Sequence, residues 1–191
     1  MAIDDISVLP PDLPAPVDDG AADHLQGMRL PSVPLPATDG STVDLGALEG
    51  LTVVYAYPRT GKAGQEPPAG WNQVPGARGC TPQSCAFRDH FGELQGLRAG
   101  VFGLSTQTTE YQAEVVERLH LPFPLLSDAD FALTRALRLP TFDFDGVTLV
   151  KRLTLVIEGG QIVKVFYPVF PPDKNAGEVI AWLQASRASR A

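Results

Sequence analysis

Apolar positions along the chain follow two periods, and where the period changes an element ends. Residues 51–57, LTVVYAY, form an unbroken β-branched and aromatic run that stops at Pro58, the pattern of a strand buried on both faces. Ala86, Phe87, His90, Phe91, Leu94 and Leu97 recur at spacings of three and four, which predicts an amphipathic helix over 82–98, opened by Thr81 as cap and Pro82 at its first position. Strand and helix then alternate: strand 101–105, helix 108–120, strand 123–127, and a helix over 128–138 capped by Ser127 or Asp128. Toward the end, TFDF and VTLV flank Asp145-Gly146, and RLTLVI and QIVKVF flank Glu158-Gly159-Gly160, predicting two hairpins. Asn175 with Glu178 three residues on has the spacing of a capping box for a last helix carrying Val179, Ile180 and Leu183. Upstream, residues 30–48 read as an edge hairpin about Asp39-Gly40. The order β-hairpin, β, α, β, α, β, α, β, β, α predicts an α/β fold: a mixed central sheet flanked by helices, with an N-terminal β-hairpin.

Two stretches break the periodicity. Residues 1–27 are rich in Pro, Asp and Ala, and bury too little apolar surface to fold alone, so they are expected to be a flexible arm, either a mobile tail or loosely docked, before a single domain at 28–188. Residues 59–79 form a Gly- and Pro-dense loop, a length that is uncommon inside compact domains and often functional.

Composition narrows the function. The 191 residues are 44% hydrophobic, enough for one ordinary core. A net charge of -7 with no run of Lys or Arg argues against nucleic acid or an anionic membrane as partner. No stretch of eighteen apolar residues occurs, and the first residues carry Asp where a secretory leader needs positive charge, so a cytoplasmic location is expected. Only two cysteines are present, Cys80 and Cys85, and both fall in GCTPQSCAFRDHF, residues 79–91.

That stretch is the candidate chemistry. Cys80 stands just before a predicted helix start, where unpaired N–H groups and the positive end of the macrodipole favour an anion; the anionic form of a thiol is its nucleophilic form. Arg78 and Arg88 add nearby positive charge. On a regular helix, residues five apart have Cα atoms roughly 8 to 9 Å apart. A disulfide needs about 4.4 to 6.8 Å, so a static Cys80–Cys85 bond fits poorly, whereas a transient one formed after oxidation of Cys80, with the first turn unwound, fits well. Other readings stay open: two buried small apolar residues, a metal site using Cys80, Cys85 and His90, or a dithiol exchanger, whose chemistry usually has two intervening residues and not four.

GCTPQSCAFRD closely resembles the active-site segment of the Q-type peroxiredoxins, the bacterioferritin comigratory protein group. FPLLSDADFALTRALRLPTF and KRLTLVIEGGQIVKVF resemble two further segments of that family, so the resemblance covers about residues 28–186. It implies a thioredoxin-like fold and a thiol peroxidase without metal, haem or flavin. It further implies Cys80 as the peroxidatic cysteine, Cys85 as the resolving cysteine, and Arg152 as the arginine that holds thiolate and peroxide. The family carries Pro and Thr or Ser seven and three residues before the peroxidatic cysteine; here those positions are Gln73 and Ala77. Pro58 and Thr60 have the matching context, as if the 59–79 loop had been inserted between the halves of the motif. The implied partners are a hydroperoxide and a thioredoxin-like dithiol reductant, and the implied state is a monomer or weak dimer. A protein thiol-disulfide oxidoreductase and a non-enzymatic redox sensor using the same pair are the rival functions.

Overall fold

The computed structural model describes residues 8–189. Two N-terminal strands come first, β1 (Pro34–Pro36) and β2 (Thr42–Asp44), then the central strand β3 (Leu51–Ala56). After the loop come α1 (Cys80–Asp89), α2 (Phe91–Gly96), β4 (Ala99–Ser105), α3 (Thr109–Leu119), β5 (Leu125–Ser127) and α4 (Ala132–Leu137). The hairpins β6 (Thr141–Phe144) with β7 (Val147–Val150) and β8 (Leu153–Glu158) with β9 (Gln161–Phe166) precede α5 (Asn175–Ala188). Five strands form one mixed sheet in the order β5-β4-β3-β8-β9, parallel from β3 to β5 and antiparallel across β3, β8 and β9. This is the expected α/β class. No helix among the described residues is long and apolar enough to cross a membrane.

Alternation along β3 explains the two cores. Val53 and Tyr55 point to a face packed by Phe87, Leu94, Val115 and Leu183, from α1, α2, α3 and α5. Val54 and Ala56 point to the other face, closed by Leu133 and Leu137 of α4 and by Leu35 of β1. At the tip between β6 and β7, Asp145 and Gly146 both have positive φ, 50° and 75°, which is the turn an Asp-Gly pair between strands favours.

The structure decides between the two alternatives for the arm and corrects the expected helix bounds and caps. The described part of the 1–27 arm is docked: Leu25 is fully buried with Ala22 in the core, His24 Nε2 lies 2.9 Å from the Leu137 carbonyl, and Asp19 takes Lys151 Nζ at 2.6 Å and Tyr167 Oη at 2.7 Å. Average composition hid this, because one buried Leu among polar residues contributes about 1.5–3 kcal/mol; residues 1–7 lie outside the described residues. The helix expected over 82–98 begins at Cys80 and breaks at His90. Apolar spacing is the same on both sides of the break, so periodicity cannot register it. Neither Thr81 nor Asn175 caps: α1 is capped by Gly79, and Asn175 is a fully buried hydrogen-bond acceptor. Asp128 does hold the start of α4, but from outside it, accepting from Leu133 N, Thr134 N and Thr134 Oγ1 at 2.9, 2.8 and 2.6 Å. The loop also contains a single 3-10 turn, Trp71–Gln73.

Candidate active site

Four separate segments converge at the carboxyl end of β3, the end where parallel strands commonly place their sites. The first is the chain leaving β3. Thr60 is buried and fixed by one residue after β4: its N–H and Oγ1 donate to Gln107 Oε1 at 2.9 and 3.1 Å, and its carbonyl accepts from Gln107 Nε2 at 3.2 Å. Tyr111 of α3 donates to the same carbonyl at 3.0 Å. Because the Thr60 hydroxyl proton goes to Gln107, its lone pairs are left to accept. Pro58 is buried behind, its carbonyl taking the Ser105 hydroxyl at 3.2 Å.

The second segment is the long loop. Trp71 anchors it, with its ring edge-on to Phe144 at 4.9 Å and near Phe142 at 6.2 Å, so the loop is held against the β6–β7 hairpin. The loop returns through Gly76 and Gly79 to the third segment, α1. Gly79 has φ 104°, and a Cβ there would meet Pro172 Cγ at 2.4 Å and Leu9 Cδ2 at 2.7 Å, so only glycine fits. This turn sets Cys80 in the first turn of α1 and 4% exposed.

The fourth is Arg152, one residue before β8 and 3% exposed. Antiparallel register pairs Leu153 with Ala56, which brings Arg152 to the end of β3. Its Nη2 is 3.1 Å from Cys80 Sγ and donates to the carbonyls of Ala77 and Arg78 at 3.0 and 3.3 Å. Nε donates to the Gly76 carbonyl at 3.2 Å, and Nη1 to Gln83 Oε1. Gln83 in turn donates to Asn175 Oδ1 at 3.0 Å, which also takes Thr154 Oγ1 at 2.6 Å. A guanidinium held by this many acceptors has one orientation, and an always-charged donor aimed at sulfur stabilises negative charge there.

Cys80 and Thr60 share a pocket of about 140 Å³, with Arg59, Lys62, Arg78, Trp71 and Tyr111 among its other lining residues. Pro58 is not in the lining. Cys85 lies on the same helix as Cys80, half-buried; burial pushes its thiol above the ordinary range, Arg88 partly offsetting this and Asp89 adding to it. Both thiols are free. Arg88, expected to support Cys80, instead pairs with Asp89 at 2.8 Å and donates to the Leu119 carbonyl at 2.9 Å. No group of three or more His, Cys, Asp or Glu is placed to hold a metal among the described residues. The sequence reading passed over Gln83, Gln107 and Thr154, and gave Asn175 only a helix-capping role. Their one signal is a polar residue at a position the pattern assigns to a buried face or an element end.

A cysteine at a helix start, gripped by a buried arginine on a five-stranded mixed sheet, fits the class of thiol redox proteins of thioredoxin-like fold. The Redoxin family model matches residues 25–180. The chain is 33% identical over 162 residues to the chloroplastic peroxiredoxin Q of Oryza sativa subsp. japonica, covering 84% of this chain and 67% of that protein. Among solved structures it is similar to Peroxidoxin BcpB from Mycobacterium tuberculosis, with TM-score 0.68 and 27% identity over 84% of this chain and 96% of that one. Peroxiredoxin Q of Xanthomonas campestris shares the fold, with TM-score 0.65 and 23% identity over 91% of this chain and 98% of that one. The chain thus belongs to the Redoxin family, and within it to the Q-type peroxiredoxins, which are thiol-dependent peroxidases.

Proposed function

We propose that Cys80 is the nucleophile of this peroxidase and Cys85 its resolving partner. The observation that carries this is Arg152 Nη2 at 3.1 Å from Cys80 Sγ, in a pocket shared with Thr60. The Cys80 thiolate attacks the distal oxygen of a hydroperoxide, the O–O bond breaks, and the leaving oxygen takes a proton to depart as alcohol or water. Cys80 is oxidised by two electrons to the sulfenic acid. Arg152 stabilises the thiolate and the charge developing on the oxygens, and Thr60 accepts the hydroperoxide O–H so that the distal oxygen faces sulfur. Pro58 shields the site from behind. Cys85 thiolate then attacks the Cys80 sulfur: the S–S bond forms, the S–OH bond breaks, and the departing hydroxide takes a proton from solvent and leaves as water. The first turn of α1 must unwind for this step, since both cysteines lie on one helix. A thioredoxin-like dithiol resets the pair, its two thiols becoming a disulfide. The intramolecular pair needs no second subunit, and a reducing compartment such as the cytoplasm suits the cycle. Cys80 at 4% exposure inside a small pocket favours a small hydroperoxide over a protein disulfide as its oxidant.

Stopped-flow mixing of reduced protein with hydrogen peroxide tests the assignment. One thiol is expected to vanish rapidly and the second more slowly, and Cys85→Ser to accumulate a trappable sulfenic acid at Cys80. Oxidation no faster than that of free cysteine, or peroxide turnover by Cys80→Ser, would overturn it.

A further inference from the structure

The pocket above Cys80 carries more than peroxide chemistry needs. Arg59, Lys62 and Arg78 line it against one carboxylate, Glu66, in a chain whose 22 acidic residues outnumber its 15 lysines and arginines. Elsewhere some basic side chains, Arg88, Arg118, Lys151 and Lys174, are paired with Asp89, Glu114, Asp19 and Asp173, while others among the described residues, such as Lys164 over the Phe166 ring, are not. Arg59 and Lys62 have no such pair among the described residues. Each is held over an aromatic ring, Arg59 at 5.7 Å from the Trp71 centroid and Lys62 at 5.6 Å from that of Tyr111. Cation–π contacts at exposed sites contribute little and leave the outer side of the cation open to an anion. Both rings belong to the pocket wall, along with Pro67 and Pro68, so an apolar surface lies beside the two charges.

We propose that the 59–79 loop makes this site selective for hydroperoxides that carry a carboxylate, with Lys62 and Arg59 as the groups that receive it. The inference rests on the peroxidase reading of Cys80. The O–O end enters toward Thr60 and Cys80, a compact organic body lies against Trp71 and Pro67, and the carboxylate meets the two cations at the rim. Hydrogen peroxide, having no carboxylate, makes no use of them. The overall charge of -7 opposes an anion only weakly at the pocket, because screening cuts it off within about 8–10 Å at physiological salt, whereas the two cations line the pocket itself.

A matched pair of probes isolates the effect: cumene hydroperoxide and its para-carboxylate analogue, which share the same tertiary O–O group. Single-turnover oxidation of the reduced full chain, without reductant, is followed by loss of the Cys80 thiol. The carboxylate analogue is expected to react about tenfold faster at low salt, two rim charges each giving less than that alone. The ratio should fall toward one near 1 M salt, where the Debye length is about 3 Å, and in Lys62→Glu it should drop to one or below. Lys62→Met, which keeps the stem and loses the charge, should give an intermediate ratio. Equal rates at low salt, or a ratio that Lys62→Glu leaves untouched, would overturn the selectivity and leave the peroxidase reading standing. If neither hydroperoxide oxidises Cys80, the peroxidase reading falls with it. Charge variants that alter only the later step with a dithiol reductant would assign the rim to the reductant, and would also overturn the inference.

Discussion

At the scale of single residues the site depends on one cation with many acceptors. Arg152 touches Cys80 Sγ and three backbone carbonyls, a fork that the point charge of lysine cannot reproduce. Arg152→Lys should therefore lower the second-order rate with hydrogen peroxide by about 10²–10³-fold, the usual loss for one preorganised donor, as read by stopped flow. The two cysteines respond differently to pH. Burial raises the Cys85 thiol above its ordinary value, and only its thiolate can attack, so at neutral pH little of it is in the attacking form. Disulfide formation should accelerate with rising pH, about tenfold per unit while thiolate is the minor form, and the sulfenic acid should live longest in mild acid. Acid-quench trapping of the sulfenic acid across pH 6–9 checks this, and a flat profile would contradict it. The resemblance already implied that Arg152 would hold the Cys80 sulfur, but not what orients it: the acceptors are backbone carbonyls of a turn, and carbonyls leave no mark in a sequence.

At the scale of elements the N-terminal arm and α1 are coupled. Leu9 packs toward Gly79 and Pro16 toward Gly76, so the arm lies along the turn that carries Cys80. Asp19 ties the arm to Lys151 and Tyr167, and these hydrogen bonds hold its carboxyl well below the usual range. A depressed carboxylate stabilises docking above its ordinary titration range and loses that contribution only as pH falls through the lowered value, so the arm stays tied except in strong acid. Unwinding α1 must move the turn beneath Leu9. Deleting residues 1–17 should speed disulfide formation about three- to tenfold, because releasing a half-buried leucine is worth on the order of 1 kcal/mol. Rapid-quench thiol alkylation measures that rate; an unchanged rate would mean that α1 unwinds beneath a docked arm. The arm's composition suggested mobility, because a stretch that cannot fold alone can still dock when one Leu finds a core built by others.

For the whole molecule, oxidation sets two effects against each other. A cross-link closing a loop of about six residues restricts the unfolded chain by about 2 kcal/mol. Unwinding the first turn gives up the Gln83 bonds to Arg152 and Asn175, worth roughly 1 kcal/mol for the neutral one and up to about 3 for the charged one. The loss exceeds the gain by no more than about 2 kcal/mol, so the melting temperature of the disulfide form should lie within several degrees of the reduced form and not above it. Hydrogen exchange should nevertheless show lost protection confined to residues 80–86, and an oxidised form that keeps that protection would contradict the unwinding. By itself the sequence determined the strands and helix faces, the turns at Asp145-Gly146 and Gly159-Gly160, and the placing of Cys80 at a helix start, because period, turn chemistry and motif spacing are local properties of the chain. The resemblance pointed to Thr60 and Arg152, but only the tertiary structure decided that Thr60, twenty residues before Cys80, lines its pocket, which carbonyls fix Arg152 on its sulfur, and that Asn175 braces Gln83 and does not cap a helix. These meetings depend on which strands pair and in what register: Ala56 opposite Leu153 is a long-range choice, made by the burial of both faces of β3 and written in no single segment.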